Sequence, residues 1–149
     1  LDLSFACVGG RKEVCIYIDA LKAAGKDPAH YSIVNSRALY VADSEEQAWA
    51  DTRDALMYQA ELYGKWLKTA QTQDGGRGEV LIRPDAERLR RTTVLGSPAQ
   101  VKERLAQIVE SAPITELVIA MQLPGLDPKK ARRSLERFSA DILPALHGA

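Results

Sequence analysis

An excess of charge of either sign is missing from this chain. Its 149 residues carry 20 Lys plus Arg against 20 Asp plus Glu. Such a balance leaves no net field to gather nucleic acid or an anionic membrane, and neither is an expected partner. No apolar run approaches the ~20 residues that span a bilayer. No basic-then-apolar leader marks the chain for export either, so the cytoplasm is the expected location. Cysteine is scarce, two residues in all. Cys7 and Cys15 lie in apolar segments without metal-ligand spacing and read as buried free thiols rather than a disulfide. A nucleophile beside a base, an acid–base dyad and a metal-ligand cluster are absent too.

What is present is an ordinary globular composition, 46% hydrophobic and 27% charged. It suits a single domain over residues 1–149, long enough to bury roughly 68–70% of its unfolded surface. The pattern centres on Leu117-Val118-Ile119-Ala120-Met121, which follows a loop at residues 112–115 and runs into Pro124-Gly125. A short apolar run between turn signals predicts a strand buried on both faces, as in a parallel sheet. Helical patterns at 98–111 and 127–143 bracket it, which is the alternation of an α/β protein. In such folds the residues just past a strand's carboxyl end face the ligand crevice, here residues 122–125.

The same reading places a strand at residues 3–8 and a helix from Arg11, with Val14, Ile18 and Leu21 on one face, ending near Gly25. A second strand falls within 33–42. A long helix follows to about Lys68, opened by a Ser44/Gln47 capping box with Glu45 and Glu46 at its positive end. Its stripe of Ala48, Thr52, Ala55, Gln59, Leu62 and Trp66, flanked by Tyr63, reads as core packing ahead of a ligand pocket. Residues 69–83, around Asp74-Gly75-Gly76-Arg77-Gly78, read as a mobile surface loop, since no strand-to-helix context supports a phosphate loop. A short helix at 84–91 carries Arg88, Arg90 and Arg91, which read as a solvated face or as a contact for phosphate or an acidic partner. Ser97, Pro98 and Gln100 form a complete helix start. In the last helix Ala131, Leu135, Phe138 and Ile142 are expected inward, and Pro144 is expected to end it. The strand–helix units imply parallel, right-handed crossovers.

Several of these stretches, taken together, resemble one family. Val41-Ala42-Asp43-Ser44-Glu45-Glu46-Gln47-Ala48, then Thr93-Val94-Leu95-Gly96-Ser97-Pro98, Glu116-Leu117-Val118-Ile119 and Pro124-Gly125 occur in order. Arg133-Ser134-Leu135-Glu136-Arg137-Phe138 and Asp141-Ile142-Leu143-Pro144 follow. The set is similar to the carboxyl-terminal part of the bacterial-luciferase-like, flavin-dependent monooxygenases. That resemblance implies an α/β fold, a partial (β/α)8 barrel made of the last three strand–helix units with an insertion before the final strand. It implies reduced FMN, or in one branch a deazaflavin, as cofactor, with a small organic substrate and often molecular oxygen. Flavin performs the redox step and the protein orients it in a dry cavity. Met121, Gln122, Pro124 and Gly125 resemble the segment lining that cavity near the flavin ring. Gln122 either hydrogen-bonds flavin or substrate through its amide or solvates its loop, and Met121 reads as barrel packing. Ser4 and Phe5 are secondary candidates for the same cavity. His30 and His147 match no family histidine and receive no catalytic role. The chain opens at Leu1 in mid-pattern, so a fragment of a longer enzyme is expected, inactive alone and associating as a homo-oligomer through unpaired strand edges. The alternative is a self-standing α/β binding or interaction module without redox chemistry.

Overall fold

The structure, a computed structural model, describes residues 4–7, 11–73 and 84–146. One strand organises it. β2 (Ile33–Val41) receives β1 (Phe5–Cys7), β3 (Val94–Gly96) and β4 (Glu116–Ala120), all parallel to it. In an extended strand the N–H and C=O of one residue point to the same edge, and successive residues alternate. The carbonyl of Ser32 accepts from the N–H of Phe5 at 3.0 Å, and the N–H of Ala42 donates to Gly96 at 2.9 Å. Both β2-side residues are even-numbered, so β1 and β3 lie end to end along one edge. The carbonyl of Ile33 accepts from Thr115 at 3.0 Å, which places β4 on the other edge. β4 pairs from Glu116, opposite Val34, to Ala120, opposite Ala38.

The odd-numbered face of the sheet is roofed by helices. α1 (Arg11–Ala23) buries Val14 and packs Ile18 around Ile33 at the amino end of β2. It stops where expected, because Gly25 takes φ +70°, a left-handed value that costs glycine little. There the N–H of Lys26 reaches Leu21 and that of Gly25 reaches Lys22, closing a Schellman cap. Towards the carboxyl end Leu39 and Val41 pack on Val101 and Leu105 of α4 (Pro98–Ser111), with Phe138 and Ile142. The start of α4 is the full reciprocal capping box between Ser97 and Gln100, with Pro98 in the first turn. On the even face, Tyr40, Ala42 and Leu95 are covered by Ala48, Ala55 and Leu56 of α2 (Glu45–Gln73).

Some expectations give way here. β4 is not buried on both faces: its residues alternate exposed and half-buried, and Val118 is 51% exposed. The odd residues Leu117 and Ile119 meet the helix layer, while among the described residues nothing covers the even side. The apolar run therefore records a strand suited to two-sided burial in a chain that roofs one side. α2 runs past Lys68 to Gln73, because no glycine or proline lies between Lys68 and Gly75; the single Gly64 within the helix does not break it. Its capping box is half formed: Gln47 N–H donates to Ser44 Oγ at 3.2 Å, but the Gln47 side chain bonds Asp51 instead. Of its stripe Ala48, Thr52 and Ala55 are buried and Gln59 and Leu62 half-buried, whereas Trp66 and the flanking Tyr63 lie exposed. α3 (Ala86–Thr92) is the expected short helix, capped by Asp85.

The last helix differs most. α5 (Pro128–Arg137) starts at Asp127 as expected, but Leu135 points outward, 53% exposed, and Ser134 takes the inward position between Ala131 and Phe138. The physical reason lies in the sheet. β4 ends level with Ala38, so the odd-numbered N–H of Val41 has no strand partner on that edge; it donates to Ser134 Oγ at 2.8 Å. Pro144 does not end the helix. A wide π turn, Phe138–Ile142, in which Leu143 N–H bonds Phe138, leads straight into α6 (Leu143–Leu146). A widened turn of this kind relieves the crowding that a proline ring imposes on the preceding turn. Asp74 to Gly78, Leu3, Val8, His147 and the Cys7 side chain lie outside the described residues; Cys15 is a half-buried free thiol.

Candidate functional site

The site that topology singles out is the carboxyl end of β4 and the even face of the sheet beside it. Past Ala120 the chain makes a tight turn at Leu123–Leu126, where Leu126 N–H donates to Leu123 at 3.1 Å. Pro124 presets the first central residue, and Gly125, at φ +83°, supplies the second of a type II turn. Leu123 and Leu126 are both buried in the cluster around Tyr40, so the turn is pinned at each end while Pro124 and Gly125 face outward. Gln122 is exposed, and its Nε2 donates to Leu123 at 3.3 Å and to Leu126 at 3.4 Å. The amide thus braces its own turn through its donor, Nε2. Met121, odd-numbered, packs half-buried on the helix-side cluster.

Below the turn, the even face presents Ser36 and Ala38 of β2 beside Val118 and Ala120 of β4. Three of these four side chains are small. A flat group can approach the backbone there, and Val118 supplies the apolar surface. Phe5 does not join them. Register places it opposite Ile33, at the amino end of the sheet, and its ring stacks on Tyr17 of α1 at 4.8 Å. Five residues of β2 separate that level from Ala120, about 16 Å at ~3.3 Å per residue. Ser4, which precedes Phe5, is equally remote, so the sequence-based pairing of these two with Gln122 is corrected by the register. His30 closes an exposed single turn of 3-10 helix, Pro28–His30, away from the site.

A polar cluster that no spacing announced lies behind the turn. Asp51 of α2 receives Lys130 Nζ at 2.5 Å on one oxygen and the Tyr40 hydroxyl at 3.2 Å on the other. Its side chain is 13% exposed. Burial raises its carboxyl, but hydrogen bonds from Lys130 and Gln47 and the charge of Lys130 outweigh that, holding it below its ordinary value. Burial, then the charge of Asp51, push the Tyr40 phenol up to about 12. The cluster ties β2, α2 and the first turn of α5 together, just past the Gln122–Leu126 segment. Tyr40 and Asp51 are thus both moved away from neutral pH.

A cleft of about 450 Å³ lies elsewhere, between the start of α2, α3, β3 and α4. Its walls mix Glu45, Glu87 and Glu103 with Arg90, Arg91 and Arg104. Arg90 is already engaged by Glu45 at 2.8 Å and Glu46 at 3.5 Å. Balanced walls of this kind gather neither anion nor cation. Arg88 and Arg91 are exposed. Among the described residues no group of three or more His, Cys, Asp or Glu is placed to hold a metal, and no helix is long and apolar enough to cross a membrane.

The fold has close counterparts. A monooxygenase from Streptomyces bottropensis superposes with a TM-score of 0.62 at 19% identity, covering 96% of this chain and 41% of its own. The oxygenating constituent of 3,6-diketocamphane monooxygenase from Pseudomonas putida, a type II Baeyer–Villiger monooxygenase solved with FMN, gives 0.57 at 18%, covering 93% and 41%. EDTA monooxygenase from a Chelativorans species gives 0.56 at 18%, covering 96% and 39%. The chain therefore spans about two fifths of the length of the solved structures it matches. None of the curated proteins matches it. At these identities the likeness establishes a mixed α/β fold similar to those oxygenases. Sequence establishes more, since the model of the luciferase-like monooxygenases matches residues 8–116, well over half the chain. On that match, this chain belongs to the luciferase-like monooxygenase family.

Proposed function

We propose that this chain is the carboxyl-terminal part of a flavin-dependent, luciferase-like monooxygenase acting on a small organic substrate. In this reading β1–α1, β2–α2 and β4–α5 are the last three strand–helix units of a (β/α)8 barrel, with α3, β3 and α4 inserted before the final strand. The observation that carries it is the face of β4 bearing Val118 and Ala120, beside Ser36 of β2, which stays open while the opposite face meets the helix layer. That exposed side is the wall a barrel turns inward.

The residues at the carboxyl end of that wall fit a flavin. Ser36, Ala38 and Ala120 leave depth for a flat ring, and Gln122 Oε1 offers an acceptor to a ring N–H or a substrate hydroxyl. Pro124 and Gly125 shape the rim, while Met121 anchors the segment from the helix side. Reduced FMN, or a deazaflavin, supplies the electron transfer when bound; these residues orient it and exclude water. Oxygen is the co-substrate in this reading. The remainder of the cofactor site belongs to the rest of the barrel, so the 149-residue chain by itself turns nothing over. The location is the cytoplasm, and the assembly a homo-oligomer.

The test is flavin titration, followed by fluorescence quenching, of this chain and of a longer gene product that includes further strand–helix units. Micromolar FMN binding by the longer protein, weakened several-fold by Gln122→Ala, is the expected result. Equal affinity in wild type and variant removes Gln122 from the site. No flavin binding by the longer protein removes the oxygenase reading and leaves the binding module.

A further inference from the structure

The face of α2 that buries Ala48, Thr52 and Ala55 does not end with the body of the protein. At helical spacing it continues through Gln59, Tyr63 and Trp66. Tyr58 is 55% exposed, Tyr63 47% and Trp66 57%. Single exposed apolar residues need no explanation, but three aromatics within nine residues do. Tyr58, half-buried Leu62 and Trp66 form an i, i+4 ridge, and Tyr63 meets Trp66 edge-on at 5.4 Å.

The charges beside this ridge are ordered. At ~100° per residue, Asp54, Glu61, Lys65 and Lys68 all fall on one flank, roughly 60–120° from Leu62 on the same side. All four are exposed, and none forms an ion pair among the described residues. They run acid, acid, base, base, and the middle of the series falls at Leu62, which is also the middle of the ridge. When two helices pack antiparallel, like flanks meet. A twofold axis at Leu62 then sets Glu61 and Asp54 of one copy among Lys65 and Lys68 of the other, with Tyr58 opposite Trp66. A parallel pairing offers no such match.

From this self-complementarity we infer that the distal half of α2 is the contact surface of an antiparallel homodimer, and that its occupant is a second copy of this chain. The inference rests on the homo-oligomer of the proposed function and gives it a surface. Three half-exposed aromatics contribute on the order of 300 Å² per copy. A stable interface needs about 800 Å² per partner. The dimer is therefore concentration-dependent.

Sedimentation equilibrium from about 1 µM to about 1 mM tests it. Glu61→Lys and Lys65→Glu each turn two attractive contacts repulsive across the axis and weaken association about tenfold. The double variant, reversed but again self-complementary, returns to within about twofold of wild type. Trp66→Ala weakens association without an electrostatic remedy. A chain monomeric at every concentration overturns both the surface and the oligomer. A dimer indifferent to all these variants keeps the oligomer and overturns the surface, as does a double variant weaker than either single one.

Discussion

Ser134→Ala isolates the most specific polar contact in the fold. The Ser134 side chain is 1% exposed, and its Oγ accepts the Val41 N–H at 2.8 Å. Alanine keeps the Cβ and removes one oxygen, so little cavity forms. What remains is the amide. Val41 is buried, and β4 has already ended at Ala120, level with Ala38, so no carbonyl of that strand can take over. A net hydrogen bond contributes about 0.5–1.5 kcal/mol, but a donor left buried and unsatisfied costs about 1–3 kcal/mol, and the second figure governs here. For a domain of this size that lowers Tm by roughly 2–4 °C per kcal/mol. Urea denaturation followed by circular dichroism is the assay, with the midpoint lowered and the slope unchanged. Amide exchange at Val41 should accelerate in parallel. Ser139→Ala, on the exposed side of the π turn, serves as control and should stay within about 0.5 kcal/mol. A Ser134→Ala variant within that same margin, with Val41 exchange unchanged, refutes the argument that the serine completes the edge of β2.

Leu135→Lys, one residue along, should change stability by less than about 0.5 kcal/mol despite replacing a leucine, because that side chain faces water. The pH dependence follows from the Tyr40–Asp51–Lys130 cluster. Tyr40 titrates above its unfolded value of 10, so its contribution is complete below pH 10 and is lost as pH rises towards about 12; Tyr40→Phe should flatten that alkaline limb in a denaturation series. Asp51 titrates below its ordinary 3.8, so its contribution is present above that pH and disappears on acidification; Asp51→Asn should flatten the acid limb. Gly125→Ala meets no neighbour but must hold φ +83°, which should cost about 1 kcal/mol by thermal melting, and a neutral result would mean that the turn relaxes.

Local signals decided the elements. Ser97, Pro98 and Gln100 fix the start of α4 because each satisfies a backbone group within four residues, and such bonds need no tertiary context. Gly25 ends α1 for the same reason. Signals at a distance were silent. Nothing in spacing links Asp51 to Lys130, 79 residues apart, or Val41 to Ser134, 93 residues apart. Ser134 turns inward in place of Leu135 against the apolar pattern, because hydrophobicity alone cannot register an unpaired strand N–H. The end of β4 and the turn after it were legible, since an apolar run ending in Pro-Gly marks a strand's carboxyl end. The placement of Ser4 and Phe5 was not, because register depends on which residues pair, and that is set by β1 and β2 together.

By itself, then, the sequence determined most of the strands and helices, the caps of α1 and α4 and the family, all properties of local bonding or of motif order along the chain; the three-residue strand β3 was too short to announce itself. Tertiary structure decided which face of β4 is roofed, which side chain of α5 turns inward and which aromatics of α2 reach water. Those outcomes depend on where neighbouring elements end, and the sequence of one element holds no record of where another stops.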